Sequence, residues 1–323
     1  MGDYVVGVDL GGTKILTAVA DLEGNILANS RLATKAEEGQ QAVIARIIES
    51  IEDVLAQTEL NKKVIAGVGV GCPGPLNAEE GIVYHAPNLD WQQVPIKDIL
   101  ADKLALPVWI ENDANAAALG EKWFGAGQEV DNLIYITVST GIGGGIIINR
   151  QLYSGANYSA GEIGHMTINP QAAIQCNCGN LGCWETLASG TALARLGQEA
   201  VRAGRDTLIA QSTAEIEDID GQVVTEAAAA GDQVAQELVK EVTNYLGIGI
   251  ANLINILNPE LIILGGGVIE AGDMIVEPIK ETVSWRALED SAAAVEILVS
   301  ELKEEIGVVG AVAKALVELD ILK

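Results

Sequence analysis

Three cysteines and a histidine crowd into one stretch of the chain, GEIGHMTINPQAAIQCNCGNLGCWE. Cys176, Cys178 and Cys183 fall within eight residues, and His165 stands eleven before the first of them. One soft-ligand loop can close such a set around a tetrahedral zinc ion. The C-x-C pair supplies two ligands, a third follows five residues later, and Gly179 and Gly182 let a short chain wrap the metal. Protein would then fill all four positions, which makes the ion structural and leaves no place on it for substrate or water. The alternative is three thiols that bind nothing. Cys72 stands apart and reads as a small buried apolar residue.

A second stretch, WIENDANAAALGE, can supply a base. An apolar strand delivers Asn112 and Asp113 at its carboxyl end and a helix follows, which is where open α/β sheets bind ligands. Asp113 could simply cap that helix. Phosphoryl transfer to an alcohol, however, needs a carboxylate within hydrogen-bond reach of the attacking hydroxyl, and Asp113 is our candidate for it.

Glycine clusters are the third signal. In VVGVDLGGTKI the order Thr13 then Lys14 is wrong for a P-loop, and Gly7, Gly11 and Gly12 do not match the dinucleotide fingerprint. The residues after Lys14 are β-rich and broken by a turn at Glu23-Gly24-Asn25, so Gly11 and Gly12 are expected in a tight hairpin between strands. Such a hairpin can present backbone N–H groups to an anion, or be an ordinary turn. A similar pattern recurs in NLIYITVSTGIGGGIIINRQLYSG, and a third turn, Gly265-Gly266-Gly267, follows the strand LIIL, where it could accept the flat face of a nucleoside.

These placements imply the elements that hold them. The chain reads as a loose internal duplication, each half opening with a glycine hairpin among antiparallel strands and continuing into helices and parallel strands. AVIARIIESIEDVLAQ has helical spacing, VIAGVGVGCPGP and PVWIEND read as strands, DQVAQELVKEVTNYLGIGIANLINIL as a long helix and ELIILGGGV as the strand after it. The halves should meet near AALGEKWFGAGQE, with ligands in a cleft between two closely packed lobes.

Composition sets the context. With 323 residues, 49% of them hydrophobic, the chain can build two cores. Its 19 basic and 45 acidic side chains leave a net charge of −26, which repels nucleic-acid backbones and anionic membranes. We therefore expect neither as a partner. The N-terminus carries Asp3 and a strand pattern instead of a targeting segment, and the most apolar stretch is interrupted by Asn252, Asn255, Asn258 and Pro259. The four cysteines suit a reducing compartment, so a cytoplasmic location is expected.

The combination of DLGGTK, CPGPLN, ENDANAAALGE, STGIGGGIIINRQLYSGANYSAGEIGH and CNCGNLGCWE resembles the ROK family (repressors, open reading frames and kinases) over nearly the whole chain. The resemblance implies an α/β, two-lobed actin-like/sugar kinase/Hsp70 (ribonuclease H-like) fold with an interlobe cleft. Residues 1–118 would form the small lobe, completed by a C-terminal helix at about 306–323, and residues 119–305 the large lobe with the zinc loop. The ROK repressors carry an added N-terminal helix-turn-helix domain, which is not expected in a chain that opens on the first phosphate strand. HAPNLDWQQVP resembles the bacterial glucokinase branch, which implies ATP-dependent phosphorylation of D-glucose at its 6-hydroxyl. Another hexose or an N-acetylated amino sugar (fructose, mannose, N-acetylmannosamine) and a non-catalytic sugar-sensing regulator are the alternatives.

Residue by residue, the resemblance makes Asp113 the general base, with Asn112, Glu162, His165 and Glu185 on the other sugar hydroxyls and Gly74 and Asn88 beside them. Asp9 would orient Mg2+ and its waters. Gly11, Gly12, Thr13 and Lys14, together with Thr140, Gly141, Gly143 and Gly144, would cradle the phosphates of ATP, and Gly266 and Gly267 would lie near adenosine. His165 could place one ring nitrogen on zinc and the other on the sugar. Homodimers or homotetramers are implied. Where the family often has an Asp-Ala-Gly run this chain reads EEIGVVGAVAKAL, a difference we expect at the nucleotide end.

Overall fold

A computed structural model describes residues 2–323. The chain forms two compact units. The first comprises the residues up to Tyr135, Gly145–Gly161 and Ser300–Lys323; the second comprises Ile136–Gly144 and Glu162–Val299.

The opening strands, Tyr4–Leu10 and Lys14–Asp21, pair antiparallel with Asp9 opposite Leu16 and Leu10 opposite Ile15, so the expected glycine hairpin is present. Around it a five-stranded sheet runs in the order Ile26–Ala33, Lys14–Asp21, Tyr4–Leu10, Ile65–Cys72, Val108–Asn112. The last two strands are parallel to the first, and Cys72 pairs with Asn112. Both faces of the central strands are apolar, and they are buried accordingly: Val6 and Val8 pack into a core with Ile47 and Ile51 of the helix Gln40–Gln57, while Val5 packs with Val312, Ala315 and Leu316. Those last three residues belong to the helix Ile306–Glu318, which also packs against the helix Asp113–Phe124.

A second five-stranded sheet runs Gln151–Leu152, Ile142–Ile148, Leu133–Val138, Leu261–Gly265, Glu296–Val299, and the strands Leu76–Asn77, Ile82–Ala86 and Trp91–Val94 make a small antiparallel sheet. The most apolar stretch of the chain is the end of the helix Gln233–Leu257 followed by the strand Leu261–Gly265, with Asn258 in a left-handed conformation ending the helix. No helix among the described residues is long and apolar enough to cross a membrane.

Candidate active site and metal centre

In the first unit the strand and helix of WIENDANAAALGE meet as the sequence implies. The strand Val108–Asn112 ends where the helix Asp113–Phe124 begins, and Asn112 caps it: its Oδ1 accepts from the N–H groups of Ala114 at 3.0 Å and Asn115 at 3.3 Å. The capping use open to Asp113 in the sequence thus falls to its neighbour. Asp113 is the first helical residue, is exposed, and accepts from the Ala114 N–H at 2.8 Å. Asn112 Nδ2 donates to the Gly74 carbonyl at 3.4 Å, so these two predicted sugar contacts are neighbours.

Asn88 sits on the short turn Pro87–Leu89 and meets the first glycine hairpin: a Cβ on Gly12 would lie 2.9 Å from the Asn88 Cβ. Space, not backbone conformation, requires glycine there. The Gly11 N–H donates to the Lys14 carbonyl at 2.9 Å and closes the turn, while the Thr34 hydroxyl donates to the Gly11 carbonyl at 2.7 Å. Thr13 is exposed, and Lys14 Nζ lies 3.4 Å from Glu304.

Asp9 lies one residue before that turn with its carboxyl group against the C-terminal helix. A Cβ on Gly307 would come within 2.5 Å of the Asp9 Cγ, so Gly307 makes the room. The EEIGVVGAVAKAL segment thus backs Asp9, the residue assigned to the ion that accompanies the nucleotide phosphates. Burial, then the charge of Asp113, raise the Asp9 carboxyl from 3.8 to about 6, with Lys14 opposing them.

In the second unit the glycine turn at Thr140 and Gly141 is tied to the predicted sugar residues. Ser139 N–H donates to the Gly141 carbonyl at 2.9 Å, and the Ile142 N–H donates to Glu185 Oε2 at 3.0 Å. Glu185 lies on the short helix Trp184–Ala188 directly after Cys183. Trp184, fully buried, anchors that helix by donating its indole N–H to the Tyr245 carbonyl at 2.9 Å. Gly143 and Gly144 lie within the strand Ile142–Ile148. Gly266 follows the strand Leu261–Gly265 with a φ of 92°, close against the Val138 backbone, whereas Gly267 faces open space.

Glu162 precedes the turn Ile163–His165 and His165 ends it, with His165 Nε2 3.9 Å from Glu162 Oε2. The other ring nitrogen, Nδ1, is 3.5 Å from Cys176 Sγ, and Cys178 Sγ is 3.7 Å from Cys183 Sγ. The ligand atoms of His165, Cys176, Cys178 and Cys183 all lie within 4.8 Å of one another. A tetrahedral zinc with bonds of about 2.0–2.3 Å separates its ligands by about 3.5–3.8 Å, so this donor set fits the ion in chemistry and spacing. Backbone bonds shape the loop as well: Gln175 and Leu181 form a bridge, and Cys176 N–H donates to the Asn180 carbonyl at 2.8 Å.

Sequence reasoning missed three residues of the first unit: Gly307, Glu111 and Lys314. Glu111 is 2% exposed and Lys314 9% exposed, and they form an ion pair of 3.1 Å. The signal was available as a lone acid within the apolar strand VWIEN and a lone lysine within the apolar run IGVVGAVAKAL.

The family model described as the ROK family matches residues 5–318. This chain belongs to the ROK family. It is 39% identical over 307 residues to a glucokinase of Halalkalibacterium halodurans, spanning 95% of this chain and 93% of that one. A xylose repressor of Caldicellulosiruptor bescii is 37% identical over 316 residues, spanning 98% of this chain and 78% of the repressor. Among solved structures, a ROK family glucokinase from Streptomyces griseus in complex with glucose and AMPPNP superposes with a TM-score of 0.81 at 36% identity, covering 96% of this chain and 98% of that one. The α/β fold is therefore that of the actin-like sugar kinases.

Proposed function

We propose that this ROK protein is a glucokinase that transfers the γ-phosphoryl group of ATP to the 6-hydroxyl of D-glucose. The observation that carries the reading is the pairing of Asp113, exposed at a helix start, with the ion-facing candidate Asp9 in one unit. Glucose and AMPPNP in the Streptomyces griseus relative support the substrate and donor.

In the proposed reaction Asp113 accepts the proton of the 6-hydroxyl as its oxygen bonds to the γ-phosphorus. The bond to the β-bridging oxygen breaks, and ADP leaves with that electron pair. Asn112, Glu162, His165 and Glu185 hold the other hydroxyls of the sugar, with Gly74 and Asn88 near them. Paired hydrogen bonds of this kind discriminate strongly against a sugar lacking one partner. The hairpins at Gly11–Lys14 and at Thr140, Gly141, Gly143 and Gly144 hold the phosphates, and Gly266 and Gly267 border adenosine. His165, Cys176, Cys178 and Cys183 would hold a structural zinc, and in that set the ring of His165 and, through Cys183, the helix bearing Glu185 would be kept in place. Asp9 would orient Mg2+ and its waters, an ion that would supply neutralisation of phosphate charge. Four cysteines, none of them in a disulfide, accord with the cytoplasmic location proposed for the protein.

A panel of glucose, mannose, fructose and N-acetylmannosamine with ATP, reading ADP release and phosphorylated product, tests the substrate. Glucose is expected to have the highest kcat/KM. A higher value for fructose removes the glucose assignment, and no product from any sugar favours the sensing role suggested by the xylose repressor similarity.

The raised Asp9 value makes a second prediction. Its folded value of about 6 lies above the ordinary 3.8, so the folded chain holds a proton the unfolded chain has released. The stabilising contribution of that proton is complete below 3.8 and is lost as pH rises through about 6. A cation at Asp9 competes with the proton. The acid limb of kcat/KM for ATP should therefore move to lower pH as Mg2+ rises from limiting to saturating, and a limb that does not move would exclude Asp9 as the ion-facing carboxylate.

A further inference from the structure

Glu111 lies in the strand that leads into Asn112 and Asp113, and its carboxylate is divided between two tasks. Oε1 accepts from the backbone N–H of Asn112 at 3.1 Å and from the side-chain amide of Asn115 at 3.0 Å. Oε2 accepts from Lys314 Nζ at 3.1 Å. One buried side chain thus grips the last strand residue and the first turn of the helix, on either side of Asp113.

Lys314 comes from the C-terminal helix, about two hundred residues away in sequence, and its ammonium group also meets Glu318 at 2.8 Å. Burial opposes its charge, but Glu111 and Glu318 outweigh burial and raise its pKa, so it stays a cation. A carboxylate held from one side by an ammonium cannot rotate freely. Its other oxygen therefore remains an acceptor aimed at the strand-to-helix junction. We infer that the Lys314–Glu111 ion pair is a positioning device for the base: it fixes the junction that carries Asp113, although neither residue touches the sugar or the nucleotide. The inference rests on the reading of Asp113 as general base.

Lys314 borders a pocket of about 660 Å3 that is also lined by Trp109, Trp123 and Tyr158, so the head of an arginine has room beside it. That makes a rescue variant available. Lys314→Met leaves Glu111 buried without its cation and is expected to lower kcat by about tenfold or more, as loss of a supporting partner commonly does. The Kd for glucose, titrated without ATP, should rise by less than kcat falls. Lys314→Arg should restore most of the loss. In an Asp113→Asn background, Lys314→Met should cost nothing further, because residues acting as a unit are not additive.

Each assay is run below the melting temperature of the variant, measured in parallel. If Lys314→Met does not fold, Glu111→Gln combined with Lys314→Met leaves no buried charge unpaired and should show the same loss of kcat. Native kcat in the folded variant, or an equal further loss in the Asp113→Asn background, overturns the positioning role. If Asp113→Asn itself keeps native turnover, the base assignment fails. If Asp113→Asn is inactive and Lys314→Met is native, only the positioning role fails.

Discussion

Asp113→Asn should lower turnover by about a hundredfold or more while leaving glucose affinity nearly unchanged. The amide has the shape of the carboxylate, and its Oδ1 can still accept from the Ala114 N–H, so the helix start is kept. What it lacks is the capacity to take the hydroxyl proton. Rapid-quench measurement of glucose 6-phosphate beside glucose titration separates the two effects. A second readout comes from Asp9. Asp113 is the charge that adds to burial in raising the Asp9 carboxyl, so removing it should bring the acid limb of nucleotide binding to lower pH. Native turnover in this variant would take Asp113 out of the reaction.

Cys178→Ala should release the metal and weaken glucose affinity by about ten- to a hundredfold, because His165 loses the partner that orients its ring. Cys178 is exposed, so its loss opens no large void in the core. Glucose is expected to suffer more than nucleotide. The nucleotide does not escape, however, because Glu185 follows Cys183 in sequence and accepts from the Ile142 N–H of the second glycine turn. Disturbing that bond is worth about a two- to tenfold loss, the scale of one hydrogen bond. Elemental analysis, with titrations of both ligands, decides the matter. Less than about one zinc per chain in the unmutated protein would defeat the zinc assignment, whose basis is a four-ligand closed site. Equal losses for glucose and nucleotide would mean that the unit has come apart.

The contrast between these two sites comes from where their information lies. The ligand set was legible because three of its four members sit within one loop, and chain spacing alone limits how such groups can meet. The glycine hairpin at Gly11 and Gly12 and the strand-to-helix step at Asn112 and Asp113 were legible for the same reason: pattern and turn residues act over a few positions. The reason for glycine at position 12 was not. It is the Asn88 Cβ, brought against the hairpin by the turn Pro87–Leu89.

Capping of the helix by Asn112 instead of Asp113 was a matter of one residue of backbone conformation, which composition does not resolve. The backing of Asp9 by Gly307 and the grip of Lys314 on Glu111 lay further out of reach. Each joins residues about two hundred to three hundred positions apart, and a lone charge in an apolar run announces that a partner exists without saying which. Only the packing of the C-terminal helix against the first sheet selects it, since burying an ammonium without a carboxylate costs far more than the chain could offset locally.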